Sequence, residues 1–247
     1  VSIDPIVLIP ARMGARRLPG KPLADIGGVP MVVRVARQAL AAGVGPVVVA
    51  AGDAEIVEAC RAAHIDSVLT DPALPSGSDR IMAALGMVDP TGRHDTVINL
   101  QGDMPFVNAG VVQACEHLLR GEASCDIATV VAPEAGTADR ANPDVVKAII
   151  SLTPGRPGGR ALYFTRSTLY GEGPVWRHVG IYGYRRDALA RFTAAPPSPL
   201  EQRENLEQLR ALELGLSIWG AVVDKAPASV DSPEDLALAR TLAETRS

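Results

Sequence analysis

In the first 120 residues, four short apolar runs are each followed by a stretch of helical periodicity, and this alternation constrains the fold more than anything else in the chain. Residues 6–9 precede a helical pattern at Met31–Ala42, and residues 47–50 precede one at 54–63. Ser67–Leu69 precedes 80–87, and 96–100 precedes 109–120. Runs this short read as strands, and strands that alternate with helices join most simply as crossover units in a parallel sheet. Past residue 125 the pattern changes. Strand-like runs at 127–132, 145–152, 161–165 and 179–184 have little helix between them, which predicts an antiparallel or mixed excursion. Helical periodicity returns at 200–214, followed by a strand at 217–223 and a last helix starting near Ser232. The stretch 153–159 is rich in Pro and Gly and reads as a turn or short loop. The expected architecture is α/β: one domain over 1–247 with a mixed, mainly parallel sheet, crossover helices and a strand-rich region at about 126–195.

The connection after the first predicted strand carries Arg12, Arg16, Arg17 and Lys21 within ten residues, in a chain of formal net charge −4. Pro10 and the pair Pro19-Gly20 break regular structure, so these cations are expected on a loop at the carboxyl end of a strand. Open α/β sheets bind ligands there. The four charges match much of a nucleoside triphosphate, and backbone N–H groups near Gly14 and Gly20 can approach phosphates closely. A solvated basic loop is the competing reading. A Walker loop is excluded, because five residues separate Gly14 from Gly20 and Lys21 is followed by Pro22 instead of Ser or Thr. No G-x-G-x-x-G follows this strand either, which removes the main support for a dinucleotide-binding oxidoreductase.

With 47% hydrophobic residues in 247, the chain can bury a substantial core. Its net negative charge, with no basic stripe beyond the first loop, argues against nucleic-acid binding. Cys60, Cys115 and Cys125 form no C-x-x-C pair, and their odd number resists a disulfide framework, so free thiols in a reducing cytoplasm are expected. No apolar run is long enough to span a membrane, and no signal core is evident at the N-terminus.

Several polar residues fall just after predicted strands: Asp53 after the second, Gln101, Gly102 and Asp103 after the fourth, and Asp231 before the last helix. Each aspartate alone reads equally as a helix cap or turn former. Two carboxylates beside a cationic loop suit Mg²⁺, which bridges protein carboxylates to substrate phosphates, and Asp103 and Asp231 form the candidate metal pair. In the segment from Ser76 to Arg80, Ser78 or Asp79 is expected to cap the next helix and leave N–H donors for a ligand. The divergent half supplies Arg166, His178, Tyr182, Tyr184, Glu207 and Gln208, although a lone histidine is more often structural.

Taken in order, these motifs resemble the 3-deoxy-manno-octulosonate (Kdo) cytidylyltransferases, also called CMP-Kdo synthetases. The resemblance runs through I-P-A-R…R-L-P-G-K-P-L at 9–23, Gln101-Gly102-Asp103, 142–147, 161–166, 178–185, 197–201, 206–210 and 230–236. It implies transfer of CMP from CTP to the anomeric hydroxyl of Kdo, with release of pyrophosphate, in supply of lipopolysaccharide synthesis. It further implies that Arg12, Arg17 and Lys21 hold the triphosphate, and that Ala11, Ser76, Arg80 and Gln101 help to position CTP. By the same resemblance Asp103 and Asp231 bind magnesium, while Gln101, Arg166, His178, Tyr182, Glu207 and Gln208 meet the sugar. A cytoplasmic homodimer is implied, with the strand-rich region in the subunit contact. The chain departs from the family pattern at Met104, where Glu is common, at Leu74, where His often stands, and at Gly52, in place of Thr. A cytidylyltransferase for another acidic sugar, such as sialic acid or amino-Kdo, and a non-catalytic CTP sensor are the competing readings.

Overall fold

The first apolar run becomes β1 (Pro5–Ala11), which is buried along almost its whole length. The computed structural model describes residues 3–14, 17–134, 138–171 and 173–245; Arg16 of the basic loop lies outside them. The chain divides into two compact units, one formed by Asp4–Val112 with the segment from Pro227 onward, the other by Gln113–Ala226 together with Ile3.

In the first unit β1 leads through a 3-10 turn at Lys21–Leu23 to a small hairpin, β2 (Asp25–Ile26) and β3 (Val29–Pro30). Then come α1 (Met31–Ala42), β4 (Val47–Ala51), α2 (Ala54–Ala62), β5 (Ser67–Leu69), α3 (Gly77–Val88), β6 (Thr96–Asn99) and the first residues of α4 (Ala109–Gly121). The strands lie in the order β5-β4-β1-β6, and all their pairings are parallel. This is the crossover pattern expected from the alternation of short strands and helices.

Two local expectations need correction here. Pro10 does not end the strand: β1 continues to Ala11, because its register with β6 stops at Leu8. Leu8 offers its carbonyl toward β6, and Pro10, two residues on, faces the same side beyond the end of that ladder. Its missing N–H therefore costs nothing. The cap of α3 is Ser76, whose hydroxyl accepts from Asp79 N at 3.1 Å, while Ser78 is buried within the helix.

The second unit contains β7 (Ile127–Pro133), the single turn α5 (Ala138–Ala141), β8 (Lys147–Ser151), β9 (Gly158–Thr165) and β10 (Trp176–Arg185). α6 (Arg186–Ala194), α7 (Pro199–Glu204), α8 (Gln208–Glu213) and β11 (Ile218–Val222) complete it. Strand order is β10-β7-β11-β9-β8, and only β11 and β7 run parallel. Arg177 and Trp176 of β10 also pair with Lys147 and Ala148 of β8, so the strands close into a ring.

The helix expected at 200–214 is two helices, because Asn205 ends α7 in the left-handed conformation (φ 58°). The expected turn at 153–159 gives up its last two residues to β9. There the backbones approach so closely that a Cβ on Gly159 would lie 2.1 Å from the Ser151 carbonyl oxygen. No helix is expected from the pattern at Arg186–Ala194; only Ala188, Leu189 and Phe192 of α6 are buried, too few to give a clear stripe.

After Pro227 the chain rejoins the first unit and its last helix is α9 (Pro233–Glu244), which starts where expected and is capped by Ser232 in a reciprocal box with Asp235. Leu236, Ala239 and Ala243 of α9 pack with Val230, Ile26 and Met31. This fixes the segment containing Asp231 against the elements that follow the basic loop.

Candidate active site

The carboxyl ends of β1 and β6 and the start of α3 enclose a cavity of about 250 Å³ in the first unit. Pro10, Ala11, Arg12, Lys21, Ser76, Arg80, Gln101 and Asp103 are among the residues that line it. The Val230 N–H donates to the Asp103 carbonyl at 2.9 Å, which brings Asp231 beside Asp103 although the two are far apart in sequence.

Both carboxylates converge on one ammonium group. Lys21 Nζ lies 2.8 Å from Asp103 Oδ2 and 3.1 Å from Asp231 Oδ1. Burial alone would lower the Lys21 pKa, but the two carboxylates outweigh it and raise the pKa above 10.5. Burial pushes the Asp103 carboxyl up against the pull of Lys21, and the charge of Asp231 adds to the push. Arg17, largely exposed, reaches Asp231 Oδ1 at 3.3 Å. The structure therefore brings Arg17, Lys21, Asp103 and Asp231 together.

Arg12 and Arg80 occupy another part of the same cavity. The Arg80 guanidinium is buried and donates to Thr70 Oγ1 at 2.6 Å and to the carbonyl of Asp71 at 3.1 Å. Burial and then the charge of Arg12 lower its pKa. The charges of Asp53 and Asp71 act on Arg80 in the opposite sense, while it donates hydrogen bonds to a hydroxyl and to carbonyls. The departure at Gly52 has a steric reason in this chain, since a Cβ there would lie 2.7 Å from Arg80 Nη1. Gln101 lines the cavity and donates to Asn99 Oδ1 at 3.2 Å.

Asp53, which could have read as a helix cap, does not act as one. It sits at the cap position of α2 without capping it; its Oδ2 instead accepts from the backbone N–H of Met13 at 2.7 Å. The only sequence signal for this is its place after the strand adjacent to β1.

Apart from Gln101, the sugar candidates lie in the second unit. His178 on β10 stands between Phe164 and Tyr182, with ring centroids at 5.0 Å and 5.5 Å. Tyr182 continues the row to Tyr184 at 5.8 Å. Burial lowers the His178 pKa to about 4, so the ring is neutral. Burial first, then the charges of Tyr184 and Glu207, raise Tyr182 well above 10, so it keeps its phenol proton. Glu207 stands at the start of α8 and accepts from Arg210 Nη2 at 2.9 Å. Among the described residues the buried amide nitrogen of Gln208 has no hydrogen-bond partner, which leaves a donor for a ligand oxygen.

Arg166 follows the end of β9, two residues beyond Phe164, and is tightly held. Its N–H donates to Glu204 Oε2 at 3.3 Å, its carbonyl accepts from the buried Lys147 ammonium at 2.7 Å, and its guanidinium donates to the Pro143 carbonyl at 3.0 Å. Neither Glu204 nor Lys147 has a role of its own legible in the sequence, because the groups they hold around Thr165 and Arg166 are distant in the chain.

The Cytidylyltransferase family model matches residues 6–218. A 3-deoxy-manno-octulosonate cytidylyltransferase of Parvibaculum lavamentivorans is 56% identical over 98% of this chain and 94% of its own. The chain belongs to the 3-deoxy-manno-octulosonate cytidylyltransferase family. Another member, from Rhodospirillum centenum, is 52% identical over 98% of this chain and 95% of its own. The solved structure of CMP:2-keto-3-deoxy-manno-octonic acid synthetase complexed with CTP superposes with a TM-score of 0.90 at 35% identity, covering 99% of this chain and 100% of that one. The family's α/β architecture, expected from the sequence, is thus the architecture of this chain. Among the described residues no cluster of three or more His, Cys, Asp or Glu side chains could hold a metal, and no helix is long and apolar enough to cross a membrane.

Proposed function

We propose that this protein is an enzyme that transfers CMP from CTP to the anomeric hydroxyl of 3-deoxy-D-manno-octulosonate, releasing pyrophosphate and supplying CMP-Kdo for lipopolysaccharide synthesis. The geometric observation that supports this best is the cavity in which Lys21 meets both Asp103 and Asp231 beside Arg12 and Arg80. It matches a substrate with about four negative charges and a reaction whose charge shifts toward a leaving pyrophosphate.

In the transfer the anomeric oxygen forms a bond to the α-phosphorus while the bond from that phosphorus to the β-phosphate oxygen breaks, and the hydroxyl proton is lost. Arg12, Arg17 and Lys21 hold the triphosphate and offset repulsion between two anionic substrates, which in a poorly screened site is worth several kcal/mol. Ala11, Ser76, Arg80 and Gln101 position CTP, with Lys21 serving the departing pyrophosphate. Arg166 pairs with the sugar carboxylate, and Gln101, His178, Tyr182, Glu207 and Gln208 contribute to sugar recognition by hydrogen bonding.

Magnesium fits this site on chemical grounds. Asp103 and Asp231 already converge on one cation within 3.1 Å, and two carboxylates with phosphate oxygens make the hard-oxygen set that magnesium prefers. When bound, the ion supplies charge neutralisation and lowers the pKa of a hydroxyl in its reach. We read the two compact units as one cytidylyltransferase domain that works in the cytoplasm as a homodimer, with the strand-rich region at about 126–195 in the subunit contact.

The test is pyrophosphate release by the purified protein with CTP, magnesium and a panel of eight- and nine-carbon sugar acids. Release with Kdo supports the reading; release only with another sugar acid, or CTP binding without release, overturns it.

A further inference from the structure

A bulge in β10 determines which ring nitrogen of His178 is left for a ligand. The register of β10 on β7 shifts between Val179 and Tyr182, and the hydroxyl of Thr129 on β7 fills the irregularity. Its Oγ1 lies 2.8 Å from the Ile181 carbonyl oxygen and 3.3 Å from that of Val179. Carbonyl oxygens only accept, and a threonine hydroxyl has one proton, so that proton is committed to this pair and chiefly to Ile181. The same Oγ1 stands 2.9 Å from His178 Nε2. With the hydroxyl proton already used, Nε2 has to be the donor in this contact, because a bare Nε2 would set its lone pair against those of Thr129.

We propose that Thr129 holds His178 in the Nε2–H tautomer and so presents the Nδ1 lone pair to a hydroxyl group of the sugar acid. Among the described residues Nδ1 makes no hydrogen bond. The proposal rests on the reading of His178 as a sugar-binding residue and deepens it. A neutral ring with an exposed lone pair accepts from a hydroxyl and repels a carboxylate, so the contact selects for a hydroxyl at one position of the sugar. The carboxylate is left to Arg166, which the ammonium of Lys147 and the carboxylate of Glu204 hold in place through its backbone. The rings of Phe164 and Tyr182 flank the imidazole and limit its rotation, and burial disfavours the imidazolium, with a pKa near 4. Thr129 is a positioning residue: it acts on substrate through His178.

The full-length protein labelled with ¹⁵N, read by long-range ring correlations near neutral pH, gives the tautomer directly, and His178→Gln identifies the signal. The expected pattern is protonated Nε2 and bare Nδ1. An Nδ1–H pattern, or an imidazolium, overturns the assignment whether or not the protein turns over Kdo. Thr129→Ser keeps the hydroxyl and should retain the tautomer. Thr129→Val should release it and raise the KM for the sugar acid about tenfold, the loss of one buried hydrogen bond, with the KM for CTP near its original value. An unchanged KM for the sugar acid in folded Thr129→Val overturns the positioning role; if that variant does not fold, the spectra of the unmodified protein and of Thr129→Ser decide. Absence of turnover with Kdo beside an Nε2–H ring overturns the substrate reading and leaves the tautomer standing.

Discussion

The Met13 N–H donates to Asp53 Oδ2 at 2.7 Å, tying the basic loop after β1 to the first residue before α2. Asp53 gives up the usual helix-capping role to do this, and α2 starts without a side-chain cap. Arg17 and Lys21 are already paired with Asp231 and Asp103 at the far end of the loop, and the bond from Met13 adds a backbone anchor next to Arg12.

Replacing Asp53 with Ala removes a hydrogen bond to a charged acceptor, worth roughly 1.5–3 kcal/mol. The expected outcome is a KM for CTP raised by about tenfold or more, with the KM for the sugar acid near its original value. Asp53→Asn keeps an oxygen acceptor and should recover most of the loss. Steady-state kinetics on the three proteins checks both statements, and equal KM values for CTP in all of them would sink the clamp.

Lys21→Ala should lower turnover by a factor on the order of 10² or more, as for loss of a donor that stabilises developing charge. The substitution also leaves Asp103 and Asp231 without their shared ammonium. Asp231→Asn removes one of two carboxylate donors, so the magnesium concentration giving half-maximal pyrophosphate release should rise. Full turnover by Asp231→Asn at low magnesium would contradict the metal role.

The parallel sheet of the first unit was legible because each of its strands is a short apolar run with a helix further on, a pattern carried by local periodicity; the hairpin of β2 and β3 has no such run. The groups around the cavity were legible for a related reason, since residues after parallel strands collect at one edge. What escaped is held by contacts between distant segments. Glu204, for example, lies on α7, and its carboxylate accepts from Thr165 Oγ1 at 3.2 Å and Arg166 N at 3.3 Å. Nothing in the sequence around 204 marks such a role. The break after α7 escaped because Leu200, Leu206 and Leu209 can be read as one helical pattern, whereas the left-handed Asn205 ends α7 and α8 starts only at Gln208.

His178 makes stability depend on pH. Its folded pKa of about 4 lies below the ordinary value of 6.5, so between these limits the unfolded chain binds a proton that the native protein does not. Stability from this residue is present in full above pH 6.5 and is lost as the pH falls toward 4. A shift of that size is worth on the order of 3 kcal/mol. His178→Gln should flatten the pH dependence of the denaturation midpoint in this window, and an unchanged slope would assign the acid sensitivity to other groups.

Gly155 and Gly159 lie in the same Pro- and Gly-rich stretch, yet alanine should act very differently at the two. At Gly155 the φ of +79° disfavours a side chain but nothing lies within 4 Å of the added Cβ, so Gly155→Ala should cost about 1–2 kcal/mol. At Gly159 the Cβ would meet the Ser151 carbonyl at 2.1 Å, and that oxygen belongs to the neighbouring strand β8. Relief requires β8 and β9 to separate, which also disturbs Lys147 and through it the carbonyl of Arg166. Gly159→Ala should therefore cost at least about 3 kcal/mol, the upper end of ordinary overpacking, and also raise the KM for the sugar acid. Urea denaturation of both variants beside the unmodified protein measures the difference; equal midpoints would mean that the β8–β9 backbone can yield without cost.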